Sequence, residues 1–424
     1  MRRSFSGAAC VLLAVALSSC GSTRPLKETS PVRIGMYADL SSTGARDGND
    51  ALKGAELRID KVNASGGIGG RPIELLVRDM KQSATEAVKA FTQLAQEEGV
   101  CAVIGSIVPN SGLAVSPVAD LSRVPLVSLS IDDRVTNPDM KPENPEPTAP
   151  VRQFAFLLQP SATQTAASFA GYAVEHFMLK RYATLYDPAN PVSVMQAHSF
   201  ENVLKRSGRI VAASVTLPEG DLAAPLRTLR EAGIDAVYVC ASTEKNAAAA
   251  KGIREALPQA VLLGNQAWYA PLATQAGEAK SASSDAKSAS SDAKSASPEA
   301  ESSFGVAANN AWFCMPVSPN DPGLADIAPS FVSRFGAKPR PAVVPGWDAA
   351  GLIIAAVRKA GTTSAPNVRD ALEQLTGFRA LQGTFDMDRK AHKPAFLPVA
   401  IMRIMDGAYV TAEPRYVYKP PRAP

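Results

Sequence analysis

Short apolar runs rich in β-favouring residues recur along this chain, separated by longer segments whose apolar positions repeat every three or four residues. Residues 32–38 (VRIGMYA) give way to a Ser/Gly/Asp loop and then to 51–63, where Leu52, Ala55, Ile59 and Val62 fall at helical spacing. The alternation predicts further strands at 72–79, 100–105 and 125–130, with helices at 85–99 and 111–123. A polar, Pro-rich stretch at 137–150 marks the exit from this first series. A second series has strands at 154–159, 182–187, 209–217, 235–242 and 260–265, and helices at 164–180, 194–208, 222–233 and 245–257. Strand and helix in strict alternation imply parallel, doubly wound sheets, so the fold class is α/β with two Rossmann-like lobes in tandem. The later apolar segments at 310–317, 346–361 and 399–405 are too few for a third domain and are expected to complete the first two.

Two stretches break the pattern. Residues 279–299 repeat AKSASSD twice and close with AKSASPE, a seven-residue period without a large apolar residue, which cannot build a coiled-coil seam. Residues 274–303 are therefore expected to form a solvated, flexible insertion in a loop of the second lobe. At the other end, Arg2 and Arg3 precede an apolar run from Ala8 to Leu17 that closes on Leu17-Ser18-Ser19-Cys20. The run is shorter than the roughly 20 residues a spanning helix needs, so 1–19 reads as a cleaved signal ending in a lipobox. Cys20 is the expected lipidated residue, Gly21 rather than Asp follows it, and 20–31 would tether the body to the membrane.

Composition narrows the classes. About 400 residues remain after the signal, enough for two cores. The net charge of +4 comes from interspersed acidic and basic residues, with no basic block to mark a nucleic-acid surface. Cys101, Cys240 and Cys314 each sit inside an apolar run, without a CxxC or Cys/His cluster, so zinc and redox chemistry are not indicated. Three buried thiols, or a Cys240–Cys314 disulfide, are the two arrangements left open.

In the first series a helix ends in Asn63-Ala64-Ser65-Gly66-Gly67-Ile68-Gly69-Gly70 and re-enters a strand that finishes at Asp79. Those glycines can take positive φ and turn the chain sharply, and because they follow a helix and open a strand they do not read as a nucleotide-binding loop. With VRIGMYADLSSTG before it, and VCAVIGS and VPLVSLS after it, this order of motifs resembles the type I periplasmic binding proteins, in particular the leucine/isoleucine/valine-binding receptors of ABC importers. The resemblance implies two lobes joined by a three-segment hinge that close like a flytrap on a small ligand. It divides the chain into 32–150 plus about 320–390 for lobe 1, and 151–319 plus about 391–415 for lobe 2.

Ligand clefts in such sheets lie outside the carboxyl ends of the strands. That rule selects Ser41, Ser106, Asn110, Ser111, Ser130 and Asp132 in the first lobe, and Asp187, Gln266 and Trp268 in the second, with Trp347 near a hinge as a further aromatic candidate. By the resemblance, amino-acid binders hold a carboxylate with a Ser and an Ala-x-Thr corner, and an ammonium with an acidic residue. Here Pro109, Ser130-Ile131-Asp132 and Gln266 occupy those places, so a free branched-chain amino acid is not carried over as the ligand. Asp132 could pair a cationic or amide-bearing ligand, or cap a local turn.

His176, His198 and His392 lie in no HExxH or triad context and no GxSxG occurs, so no catalytic residue and no cofactor is expected. The leading expectation is a non-enzymatic solute-binding lipoprotein in the cell envelope. It would capture a small polar ligand, such as an amino acid, amide or related compound, for the permease subunits of an ABC importer. The alternative is an envelope lipoprotein using the same fold as a regulator or interaction module, similar to the penicillin-binding-protein activators, or as a ligand sensor.

Overall fold

The computed structural model describes residues 30–42, 44–146, 148, 150–270 and 304–419. The expected signal, the lipidated Cys20 and the whole 274–303 insertion lie outside the described residues.

The first sheet is built from β1 (Val32–Ala38), β2 (Ile73–Asp79), β3 (Val103–Ile104), β4 (Leu126–Ser128) and β5 (Ala155–Leu157), all parallel in the order β2-β1-β3-β4-β5. Helices α1 (Arg46–Ala64), α2 (Ala84–Thr92) and α3 (Pro109–Ser122) connect the first four strands. The expected Gly-rich corner is present: Gly66, Gly67, Gly69 and Gly70 have φ of +91°, +72°, +60° and +83°. At Gly67 a Cβ would also stand 1.9 Å from the Arg71 carbonyl oxygen, so the turn from α1 into β2 admits no other residue without moving the chain.

The second lobe begins with α4 (Ala162–His176) and continues through β6 (Arg181–Tyr186), α5 (Pro191–Arg206), β7 (Ile210–Thr216), α6 (Ala223–Glu231), β8 (Ala236–Cys240), α7 (Thr243–Ala256), β9 (Val261–Gly264) and β10 (Trp312–Met315). The chain then returns to the first lobe for α8 (Pro322–Phe335), α9 (Val343–Ala360), α10 (Ala365–Glu373) and two small hairpins, β11 (Phe378–Ala380) with β12 (Gly383–Phe385), and β13 (Met387–Asp388) with β14 (Lys393–Pro394). It ends in the second sheet as β15 (Val399–Met405) and β16 (Ala408–Tyr416), giving the order β16-β15-β10-β9-β8-β6-β7. Strands β6 to β10 are parallel; β15 and β16 join antiparallel at one side.

Each sheet is buried on both faces, which explains the near-continuous apolar runs of its central strands. Helices α1 and α9 pack closely over one face of the first sheet, with Ile34, Ile104, Phe156 and Ile353 all fully buried there. That contact depends on Gly346, where a Cβ would sit 1.8 Å from the Ala51 carbonyl oxygen.

Three assignments differ from the sequence expectation. The strand at 154–159 was expected to open the second lobe from residue 151, but β5 pairs in register with β4, Leu126 against Ala155, so the lobe boundary falls in 158–161. The change expected at about 391 likewise comes later, because β14 pairs with β13 before the chain crosses at 395–398. His392, read as part of a polar loop, is 1% exposed, stacks on Phe156 at 4.4 Å and faces Glu373 at 3.3 Å. With 316–321 the chain crosses between lobes three times.

Cys101, Cys240 and Cys314 are buried free thiols. Of the two arrangements left open, the structure holds the reduced one. Among the described residues no helix is long and apolar enough to cross a membrane.

Candidate functional site

The switch point of each sheet lies where consecutive crossovers leave a strand on opposite sides, and ligands gather at the carboxyl ends of the strands there. In the first sheet it falls between β1 and β3; in the second, between β6 and β8. The segments concerned are 39–44 and 105–111 in one lobe, and 187–193 and 241–245 in the other.

In the first lobe, Ser41 is exposed and donates to Asp79 Oδ2 at 2.5 Å. Ser106 is 2% exposed and accepts from the Val108 amide at 3.1 Å. Asn110 is exposed on the first turn of α3, while the neighbouring Ser111 is fully buried and donates to the Val108 carbonyl at 2.7 Å. Ser130 accepts from the Asp132 amide at 3.1 Å. The β3 and β4 corners meet at Gly112, where a Cβ would be 3.2 Å from Ser130 Cβ, so the structure brings Ser106, Asn110, Ser111 and Ser130 to one region.

Asp132 is not an open anion. It is 1% exposed, caps the short 3-10 turn Asp133–Val135, and takes Arg134 in a two-point pair at 3.0 and 2.7 Å. A planar guanidinium matched to both carboxylate oxygens leaves little for a ligand cation to gain. Asp133 is also 1% exposed and joins the flanks of two crossings: it accepts from the Thr163 amide at 3.0 Å and hydroxyl at 2.9 Å, and pairs with Lys393, whose ammonium also reaches Ser161 Oγ in the first crossing at 3.1 Å. Burial alone would push the Asp133 carboxyl up, but Lys393 and these hydrogen bonds hold it below the ordinary carboxylate range. A second tie joins Asp321, which caps α8, to Arg415 of β16 at 2.7 and 3.0 Å.

In the second lobe, Asp187 is 7% exposed and pairs with Lys245 at 2.9 Å; Lys245 also reaches Glu219 at 2.6 Å. Gln266 follows β9 and is half-buried, and its Oε1 accepts from Gln196 Nε2 at 2.8 Å. Behind it, Gln196, Asn246 and Asn265 are buried and hydrogen-bonded in series.

Neither tryptophan offers a stacking face. Trp268 is fully buried, donates from Nε1 to the Val239 carbonyl at 3.0 Å and stacks on Phe304 at 5.1 Å. Trp347 is 6% exposed and packs with Leu57, Leu324 and Phe331, with the Arg58 guanidinium 5.1 Å from its ring. Both are structural members of their lobes, a correction to the sequence expectation. A cavity of about 390 Å³ lined by Val32, Ile68, Arg71 and Thr362 lies at the amino end of β1, the opposite end from these segments.

Sequence reasoning missed Arg134, Lys245, Lys393, Gln196, Asn246 and Asn265. Arg134 had a local signal, two residues after an Asp on a turn. Gln196 is a polar interruption on the buried side of α5, between Met195 and Ala197. Lys393 lies 260 residues from its partner and had none.

The family model for periplasmic binding proteins matches residues 31–408. Leu/Ile/Val-binding protein homolog 3 of Brucella melitensis is 25% identical over 237 residues, 55% of this chain and 61% of that protein. Homolog 7 of Brucella abortus is 25% identical over 213 residues, 49% and 52% of the two chains. The chain thus spans about half to three fifths of the length of these curated relatives. A leucine-binding protein from Thermotoga maritima superposes with a TM-score of 0.68 at 18% identity, covering 92% of this chain and 99% of that one. An ABC transporter substrate-binding protein from Desulfitobacterium hafniense gives 0.71 at 17%, covering 90% and 99%. A solute-binding protein from R. palustris, in complex with benzoate, gives 0.64 at 18%, covering 92% and 98%. These structures establish the two-lobed fold, and the extent of the family match leads to one conclusion: the chain belongs to the periplasmic binding protein family.

Proposed function

We propose that this protein is the extracytoplasmic solute receptor of an ABC importer, tethered to the membrane through a lipidated Cys20. It captures a small polar ligand, an amino acid, amide or related compound, between its lobes and presents it to the permease. The observation that carries this reading is the pair of mainly parallel sheets joined by three crossing segments, with small hydroxyls and amides at the carboxyl ends of their strands. Such a linkage lets the lobes move as bodies about a few residues. Ser106, Asn110 and Ser130 would meet the ligand from the first lobe, and Gln266 with the Asp187–Lys245 pair from the second.

The relatives named for leucine, isoleucine and valine support the amino-acid class, and the R. palustris protein bound to benzoate shows that the fold also takes an aromatic acid. The test is a thermal-shift screen of the chain from Gly21 against amino acids, amides, polyamines, short peptides and aromatic acids. A ligand at 100 times its Kd adds about 2.7 kcal/mol, a shift of several degrees. A shift that is lost in Gln266→Ala supports the receptor; no shift with any compound moves the reading to an interaction module.

A further inference from the structure

Four side-chain amides run in series across the carboxyl ends of β8 and β9, and a backbone group fixes their direction. Asn246 faces Ala241 with both ends of its amide: Oδ1 accepts from the Ala241 amide at 3.0 Å and Nδ2 donates to the Ala241 carbonyl at 3.1 Å. A backbone N–H can only donate and a carbonyl can only accept, so the Asn246 amide has one allowed orientation. Its Nδ2 also donates to Asn265 Oδ1 at 3.1 Å, which turns Asn265 Nδ2 toward Gln196 Oε1 at 3.0 Å. Gln196 Nε2 is then left to donate to Gln266 Oε1 at 2.8 Å. Asn246 and Gln196 are fully buried and Asn265 is 4% exposed, so reversing any link would leave donor against donor or acceptor against acceptor away from water.

The relay ends at Gln266, whose carbonyl oxygen is occupied and whose Nε2 has no partner among the described residues. Gln266 is half-buried on the turn just past β9. The nearest cation in sequence to the anchor, Lys245, is engaged by Asp187 and Glu219.

We infer that the second lobe presents a fixed N–H donor to the ligand at Gln266, and that the ligand group received there is a carbonyl oxygen standing where an amino acid carries its ammonium. The inference rests on the receptor reading proposed above. An ammonium placed against Gln266 Nε2 would meet a donor, and the amide could not turn its oxygen there without breaking the buried series behind it. The relay therefore acts on specificity through an orientation, without adding a charge.

The experiment uses the chain from Gly21 with three matched sets of probes: aliphatic and aromatic 2-amino acids, the 2-oxo acids of the same carbon skeleton, and the corresponding primary amines. Binding is measured by calorimetry for the native sequence, Gln266→Glu and Gln196→Leu. The native protein is expected to favour the 2-oxo acid over the 2-amino acid by at least about tenfold, the scale of one hydrogen bond to a charged or strongly polar group. Gln266→Glu keeps an acceptor for Gln196 but replaces the outward donor by an anionic oxygen, and is expected to reverse the order. Gln196→Leu frees the Gln266 amide to turn and should bring the two affinities together while binding persists. A native preference for the 2-amino acid or amine, or an order unchanged in both variants, overturns the inference and leaves the receptor reading standing. Failure of every probe to bind the native protein overturns the inference, and the wider thermal-shift screen then decides the receptor reading separately.

Discussion

At the carboxyl ends of its strands the first lobe closes its polar groups on one another, Asp132 on Arg134 and Asp133 on Lys393, whereas the second lobe strings four amides toward one outward donor. The first arrangement fixes position. Asp133 reaches Thr163, just after the first crossing, and Lys393, just before the third, so one buried carboxylate joins the flanks of two of the three crossings. The second arrangement fixes chemistry, because an amide series has a direction and its last member must show a particular end. The two lobes of one fold can thus divide the work of hinge and recognition, and variants in each should fail differently.

The largest effect is expected at the hinge. Lys393→Met leaves the Asp133 carboxylate buried without its cation and should cost about 3–5 kcal/mol in urea unfolding, with much of it restored by adding Asp133→Asn. The pH dependence separates the lobes next. In the first, burial raises the Asp348 carboxyl to about 7, against the Leu381 and Gln382 amides and Arg58, which favour its charge. The fold then keeps a proton that the unfolded chain releases, and this contribution is lost as pH rises from about 4 through 7, on the order of 2–4 kcal/mol. In the second, Glu201 would be raised by burial, but His198 and Thr184 bring it to about 2 from its ordinary 4.5. Its contribution is present above 4.5 and lost as pH falls toward 2. Asp348→Asn should flatten the decline on the neutral side alone, read from denaturation midpoints across the range.

A smaller effect compares helix contacts. Gly346→Ala forces a Cβ onto the Ala51 backbone and should cost about 1–3 kcal/mol. Gly252→Ala in α7 meets only the ends of the Leu226 and Leu222 side chains, at 3.0 and 3.6 Å, and should stay within about 1 kcal/mol of the native protein in either direction. The smallest concerns Arg206 and Glu146, an exposed pair at 2.8 Å between α5 and the loop after β4. Arg206→Ala should change stability by less than about 1 kcal/mol, and the change should vanish in high salt.

What the sequence made legible follows the range of the interaction. Strand 32–38 was read with its observed bounds, and the apolar segment 399–405 coincides with β15, because a buried strand is a contiguous apolar run. The corner at Gly66 to Gly70 was read because positive φ is a local demand. Strand pairing is not local, so β5 was found but given to the wrong sheet. Helix α8 contains Pro329 and β16 carries Glu413, Pro414 and Arg415 on an edge, and both were passed over for lack of a clean period. Position after a strand drew notice to Gln266, but the bond that orients it spans 70 residues of sequence. The same rule misjudged Trp268, because a strand end says where a residue stands and not which way its ring turns into the core.

In the proposed receptor the strand ends of both lobes hold one ligand at once. Hydrogen exchange of the chain from Gly21, with and without a saturating ligand from the screen, tests it most directly. Added protection is expected in 105–111 and 128–132 together with 187–193 and 264–268. Protection confined to one lobe, or to the cavity beside Arg71, would contradict it.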